Sequence, residues 1–241
     1  MSRIGCVLFD LDGVLVDATE WHYEALNRAL RLFGFDITRY EHLSLYNGLP
    51  TSKKLEMLSV EKGLPVPIHG MLNRLKQVYT RDEILTRCRP VFEKEYMLSR
   101  LRREGYRLAV CSNSIRESLE LMVRQSGLYD YFEFLVSNED VTRPKPDPEI
   151  YARAIARMGL APAEVLIVED APHGLEAATR AGAHVCRVDG FAEVDYFRIR
   201  DAINRAERVA TTAADLSARA SAEAAAPADA IDAHGGARRV A

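Results

Sequence analysis

The stretch Ile4-Gly5-Cys6-Val7-Leu8-Phe9-Asp10-Leu11-Asp12-Gly13 limits what this chain can fold into more than any other. A short aliphatic run bounded by a turn signal is the pattern of a buried strand. Two acids stand where that strand ends. Their i, i+2 spacing sends both side chains to the same side of an extended chain, and Gly13 lets the backbone turn sharply away. Ionised carboxylates at the end of a buried strand are costly unless something pairs with them. In an open parallel α/β sheet, the same edge is where ligands bind. A divalent cation and a few lysines would serve as partners.

Beyond Asp17 the period changes. Trp21, Ala25, Leu26, Ala29, Leu30 and Phe33 recur at helical spacing up to Gly34. After a linker, Leu49-Pro50-Thr51-Ser52 opens a second helix over Lys53–Lys62, stopped by Gly63-Leu64-Pro65, and a third spans about Ile68 to Leu85. No convincing strand lies between Asp17 and Arg87. From Arg89-Pro90 strands and helices alternate. The strands are Arg107–Cys111, Phe134–Val136, Val165–Val168 and His184–Val188, with a short final one at Val209-Ala210; the helices are Phe92–Glu104, Ile115–Ser126, Asp147–Met158, Gly174–Ala181 and Arg198–Arg205. Repeated βα units predict an α/β fold: a Rossmann-like parallel sheet core with helices on both faces and an inserted α-helical segment. The division expected is a core of residues 1–16 and 88–212, a helical insert of residues 17–87, and an alanine-rich tail of residues 213–241, read as mostly disordered because it offers little to bury.

Four polar clusters follow four of the strands: Asp10/Asp12, Ser112/Asn113, Lys145 and Glu169/Asp170. A parallel sheet brings such strand ends to one edge. Their chemistry is complementary. Several carboxylates make an oxygen-rich site suited to Mg²⁺. A hydroxyl, backbone N–H groups opening a helix and a lysine suit a phosphoryl dianion. One carboxylate is left as a nucleophile and another as a proton donor. Taken singly, each has a bland alternative. Ser112 and Asn113 are equally a helix cap, Ser114 is a cap before it is a contact, Lys145 a solvated lysine, and Glu169/Asp170 a helix-start pair favoured by the macrodipole.

In order, the clusters resemble the motifs of the haloacid dehalogenase superfamily, in its β-phosphoglucomutase-like and phosphatase branch with a helical cap. Asp10-Leu11-Asp12-Gly13-Val14-Leu15 matches the first motif, Ser112 the second, Lys145 in Lys145-Pro146-Asp147-Pro148 the third, and Glu169-Asp170 the fourth. The resemblance covers Met1 to about Thr212. It implies Asp10 as nucleophile and Asp12 as general acid, then base. It implies Mg²⁺ held by Asp10, Asp12 through its main-chain carbonyl, Asp170 and nearby Glu169. Ser112, Asn113 and Lys145 would bind the phosphoryl oxygens. The activity implied is a Mg²⁺-dependent phosphatase acting on a small phosphorylated metabolite, a sugar phosphate first, through an aspartyl-phosphate. A sugar phosphomutase and a non-catalytic sugar-phosphate-binding module are the alternatives. A phosphonatase would need a cap lysine that forms a Schiff base.

In the cap, the resemblance places His22 beside the acid/base aspartate, and the loop Asn47–Lys54 against the substrate. Thr51 stands roughly where the mutase carries an arginine for the distal phosphate. Lys53 and Lys54 just beyond it, and Lys76 in the later helix, are either contacts for a second anionic group or a solvated helix face. Ala18 replaces the hydroxyl residue usual in the mutase hinge, which removes a hydrogen bond and favours water as the phosphoryl acceptor.

A formal net charge of −3 gives no electrostatic case for nucleic acid or an anionic membrane. No run is long and apolar enough to span a bilayer, and no signal-peptide pattern is evident. Cys6, Cys88, Cys111 and Cys186 are scattered without a CxxC pair and read as reduced, buried thiols of a cytoplasmic protein, with a monomer favoured. Truncation before Ser217 should leave catalytic turnover within about twofold of the full chain, because the tail has little to bury; a loss of activity in a steady-state assay would contradict that.

Overall fold

The computed structural model describes residues 3–208. Five strands, β1 (Cys6–Phe9), β2 (Arg107–Cys111), β3 (Phe134–Val136), β4 (Val165–Glu169) and β5 (His184–Arg187), form one sheet in the order β3-β2-β1-β4-β5. Every pairing is parallel. β1 lies between β2 and β4, with Phe9 level with both Val110 and Val168. The chain winds outward from β1 through β2 and β3, then returns to the other side of β1 for β4 and β5. That reversal opens a crevice at the carboxyl ends of β1 and β4.

The strands have no polar face because both of their faces are covered. Val7, Phe9, Leu108, Val110, Leu166 and Val168 pack into one apolar cluster, and the alternating Cys6, Leu8, Ala109, Cys111, Val165 and Ile167 into another. Helices α5 (Phe92–Arg103) and α6 (Arg116–Gln125) and a helix over residues 196–208 contribute to the first; α7 (Glu149–Met158) and α8 (Pro172–Arg180) contribute to the second. The four cysteines are buried thiols.

Between β1 and α5 lie α1 (Thr19–Arg31), a single turn α2 (Arg39–Glu41), a π-helical turn (His42–Tyr46), α3 (Thr51–Lys62) and α4 (His69–Arg87). The turns between Arg39 and Tyr46 stand where the sequence predicts only a linker. A Thr38/Glu41 capping box starts them. These helices have their own apolar cluster, including Leu26, Leu30, Tyr46, Leu55, Leu58 and Leu72. Other boundaries move by one to three residues: α6 begins at Arg116, α7 at Glu149, α8 at Pro172, and β4 extends to Glu169. The strand expected at Val209-Ala210 and the alanine-rich tail lie outside the described residues. Among the described residues no helix is long and apolar enough to cross a membrane.

The loop after α1 is held by one buried side chain. Asn27 donates from Nδ2 to the Ile37 carbonyl and accepts from the Ile37 N–H, both at 2.9 Å. Asn27→Leu strands both backbone groups in an apolar setting. It should lower stability by at least about 2 kcal/mol in urea titrations; an unchanged midpoint would contradict that reading.

Candidate active site

The carboxyl ends of β1, β2 and β4 and the loop before α7 meet at one buried cluster. Lys145 Nζ donates to Asp10 Oδ1 at 2.6 Å, to Glu169 Oε1 at 2.6 Å and to the Cys111 carbonyl at 2.8 Å. Its three donors are thereby used. Tyr151, one turn into α7, donates its hydroxyl to the same Glu169 Oε1 at 2.5 Å. Ligand oxygens of Asp10, Glu169 and Asp170 all lie within 4.8 Å of one another.

Two glycines permit that crowding. A Cβ on Gly13, which has φ +85°, would stand 2.1 Å from Asp170 Oδ2, and one on Gly174 would stand 2.0 Å from Glu169 Oε1. Burial and the neighbouring Glu169 push the Asp10 carboxyl well up, against the pull of Lys145. Burial and Glu169 also push Asp170 up to about 7. One ammonium cannot keep three carboxyls ionised, so the raised Asp10 and Asp170 hold protons that a bound cation would displace. The residues therefore fit a hard divalent cation: the donor set is all oxygen, and Asp170 Oδ1 is buried with no hydrogen-bond partner among the described residues.

Asp12 sits in a different environment two residues on. His22 Nε2 lies 3.0 Å from Asp12 Oδ1, and Ser114 donates its hydroxyl to Asp12 Oδ2 at 2.9 Å. Lys76 Nζ lies 3.1 Å from His22 Nδ1. An ammonium only donates, so Nδ1 accepts and the ring proton sits on Nε2, which donates to Asp12. Burial pushes the Asp12 carboxyl up, but His22 and Ser114 outweigh it and hold it below the ordinary carboxylate range. Burial and the Lys76 charge hold His22 low, as a neutral ring.

The cluster floors a cavity of ≈ 110 Å³ between the sheet edge and the helical insert. Asp10, Asp12, Asn113, Lys145 and Glu169 line it from below; His22, Thr51, Lys54 and Lys76 line it from the insert. Asn113 ties the two sides, donating to the Gly48 carbonyl at 2.8 Å while its Oδ1 accepts from the Lys145 N–H at 3.1 Å.

Some residues singled out in the sequence fall elsewhere. Lys53 is not among the lining residues: its side chain is exposed and pairs with Glu56 at 3.1 Å. Ser112 is fully buried beneath the lining, its hydroxyl accepting from the Ser114 N–H at 3.0 Å. The Asp12 carboxylate stands outside the acidic trio, engaged with His22 and Ser114, which leaves only its main-chain carbonyl for a metal. Ser114 does not cap α6, whose first turn has no side-chain cap; its hydroxyl serves Asp12 instead. Tyr151 is the residue sequence reasoning missed. It lies six residues past Lys145, and nothing in that spacing marks its hydroxyl.

With this geometry in view, comparison with known proteins gives one family. The family model for haloacid dehalogenase-like hydrolases matches residues 7–188. A phosphorylated carbohydrates phosphatase of Thermotoga maritima is 31% identical over 178 residues, 73% of this chain and 81% of that protein. Among solved structures, the β-phosphoglucomutase of Clostridium difficile superposes with a TM-score of 0.74 at 20% identity, over 84% of this chain and 98% of that one, a likeness of fold. CbbY from Rhodobacter sphaeroides, solved with xylulose 1,5-bisphosphate, superposes with a TM-score of 0.71 at 25% identity, over 78% and 88%. The chain belongs to the haloacid dehalogenase-like hydrolases, and it is an enzyme, a phosphoric monoester hydrolase of that family.

A cation needs Asp170 as carboxylate, so binding releases a proton wherever the free acid is protonated. With that carboxyl at about 7, Mg²⁺ affinity should rise as pH increases through 7 and fall below it. Asp10, also pushed up, must shed its proton on the same binding, so calorimetry should find Mg²⁺ bound at least about tenfold more tightly at pH 8 than at pH 6; a dissociation constant independent of pH over that range would contradict the assignment.

Proposed function

We propose that this chain is a Mg²⁺-dependent phosphatase that removes the phosphoryl group from a small phosphorylated carbohydrate through an aspartyl-phosphate on Asp10. Residues 17–87 act as the cap over a site carried by residues 1–16 and 88–212. The observation that carries the reading is the pairing of opposite environments. Asp10 shares one buried ammonium with Glu169, while Asp12 faces the same cavity on a separate imidazole and hydroxyl. Asp12 stands clear of the Lys145 cluster, so it can take up and release a proton while Asp10 stays fixed for attack.

In the first half-reaction a carboxylate oxygen of Asp10, its charge offset by Lys145, attacks phosphorus as the ester P–O bond breaks; Asp12, a carboxylate in the substrate-free site, binds a proton as the substrate enters and gives it to the leaving oxygen. In the second, Asp12, now a carboxylate accepting from His22 and Ser114, takes a proton from water. That water attacks phosphorus, the bond to Asp10 breaks, and inorganic phosphate leaves. Lys145 holds Asp10 in place and offsets charge on the transferring group, and Asn113 fixes the loop that carries Lys145. Mg²⁺, when bound by Asp10, Asp170, the Asp12 carbonyl and nearby Glu169, would neutralise the carboxylates and the phosphoryl oxygens.

Two observations support water over a sugar hydroxyl as acceptor. The relative that is 31% identical is itself a phosphatase of phosphorylated carbohydrates. The hinge residue Ala18 is fully buried, and the first turn of α1 has no side-chain cap bond, so the hinge lacks a hydroxyl to latch one state.

A panel of phosphorylated carbohydrates assayed with Mg²⁺ should release inorganic phosphate without a bisphosphate activator. Asp10→Asn, with its circular dichroism spectrum intact, should lower that rate by at least about 10³-fold. Phosphate release that needs a bisphosphate would point to the mutase reaction, and an active Asp10→Asn enzyme would remove Asp10 from the nucleophile's role.

A further inference from the structure

A second cavity, of ≈ 270 Å³, lies where the chain crosses between the helical insert and the sheet. Val16 lines it from the first crossing, Arg87 and Arg89 from the second. Trp21 of α1 walls it on the insert side, Lys94 of α5 and Phe191 on the sheet side. It shares no lining residue with the cavity above Asp10, and the phosphoryl chemistry makes no use of it.

The cavity is apolar but for one buried charge. Leu15 and Leu128 in its wall are fully buried, and Trp21 nearly so. Among them stands Lys94, 3% exposed. Its ammonium donates to the Phe191 carbonyl at 2.7 Å and to the Val194 carbonyl at 2.5 Å, and lies 3.9 Å from the centre of the Phe191 ring. An ammonium has three donors; among the described residues the third has no acceptor and no carboxylate pairs with the charge. The cations nearby differ. Arg87 is met by Glu24 at 2.6 Å and Glu83 at 3.2 Å, whereas Arg89, at the rim, donates only to the Leu85, Thr86 and Cys88 carbonyls. Val91, also in the lining, precedes the first turn of α5, which no side chain caps, and the free N–H groups there add positive potential to the same wall.

A buried charge recovers its lost hydration only through a partner. We propose that this hinge cavity is a second ligand site, that it takes the anion of a small carboxylic acid with an apolar body, and that its occupant acts on the cap. The carboxylate meets Lys94 and, at the rim, Arg89; the body meets Leu15, Trp21 and Leu128. One unused donor on one buried ammonium suits a single negative charge, and a phosphate dianion would carry a second charge into apolar surroundings. The volume, just under the roughly 300–1,000 Å³ of sites for drug-sized ligands, sets the body at about one ring. Burial draws Lys94 down to about 8, and a carboxylate beside it restores the full charge.

Two links join this cavity to the catalytic residues. Trp21 and His22 are consecutive on α1, and His22 holds Asp12. Val16 closes the turn that carries Asp12: its carbonyl accepts from the Gly13 N–H at 2.8 Å, and its N–H donates to the Leu11 carbonyl at 2.9 Å. Both sides of the hinge wall the cavity, so its shape follows the angle of the cap, and a ligand that fits one angle shifts the population towards it.

Trp21 is the single tryptophan of the chain, so its fluorescence reports occupancy. The full chain is titrated with cyclohexanecarboxylate, with the neutral cyclohexanecarboxamide, and with acetate, which keeps the charge without the body. Cyclohexanecarboxylate should change the emission saturably and bind at least about tenfold more tightly than either comparator; this arm needs no substrate and so goes beyond the phosphatase reading. At saturation it should change kcat/KM for phosphate release, on the best substrate of the carbohydrate panel, by about fivefold or more. Lys94→Met removes the ammonium and Val91→Phe fills the cavity. Each variant, checked for folding by thermal melting, should lose both effects, and Val91→Phe alone decides if Lys94→Met does not fold. No saturable change in emission, binding of the acid no tighter than a comparator, a response that survives the substitutions, or saturation with kcat/KM unchanged overturns the inference.

Discussion

The Lys145 ammonium is the interaction on which the rest of this structure depends. It reaches from a loop into the sheet edge and holds Asp10 and Glu169 at 2.6 Å each. Without it, β1 and β4 could not end side by side in carboxylates, because like charges at this spacing and burial repel strongly. The lysine is itself 3% exposed, so removing it would strand two acids, and removing the acids would strand it. One ammonium cannot keep three carboxyls ionised, and Asp10 and Asp170 are pushed up as a result. That shortage of positive charge, and the partnerless oxygen on Asp170, fit the site to the divalent cation proposed to bind there and, through it, to a phosphoryl group.

The second constraint is separation. Asp10 and Asp12 are two residues apart, yet burial and Glu169 push one carboxyl up, while His22 and Ser114 hold the other down. The groups that set Asp12 come from both sides of the cavity: Ser114 from the sheet edge, His22 and its partner Lys76 from α1 and α4. The protonation of Asp12 is thus tied to how closely the helical insert sits over the sheet. Asn113, bonded both to the Gly48 carbonyl and to the backbone of Lys145, couples that same approach to the phosphoryl side. A substrate that parts the insert from the sheet would change both environments together.

Much of this was legible in the sequence, for identifiable reasons. Strands buried on both faces read as unbroken aliphatic runs, so β1, β2 and β4 and the polar residues that follow them stood out, and a parallel sheet has only one edge on which those residues can meet. The side-chain partnerships were less legible. Ser114 read as a helix cap because a serine just before a helix usually is one; α6 instead starts at Arg116 with Ile115 preceding it, and the hydroxyl is released to Asp12. Tyr151 carried no signal, since its contact with Glu169 spans two elements. Lys53 and Lys54 looked interchangeable as neighbours in sequence, but a helix sets them about 100° apart. The i, i+4 relation of Lys54 to Leu58, and of Lys76 to Leu72 and Thr80, was the available sign that these two face inward. The turns between Arg39 and Tyr46 show no helical period because Tyr40, Leu43 and Leu45 stay exposed and the π-helical turn departs from 3.6 residues per turn.

We propose that the cluster around Lys145 presents Asp10 to phosphorus. Rapid quench of the wild-type enzyme with a ³²P-labelled substrate, followed by peptide mapping, decides it. Transient label is expected on the peptide containing Asp10, in a linkage cleaved by hydroxylamine as an acyl-phosphate is. Turnover with no labelled intermediate, or label on any other residue, would contradict it.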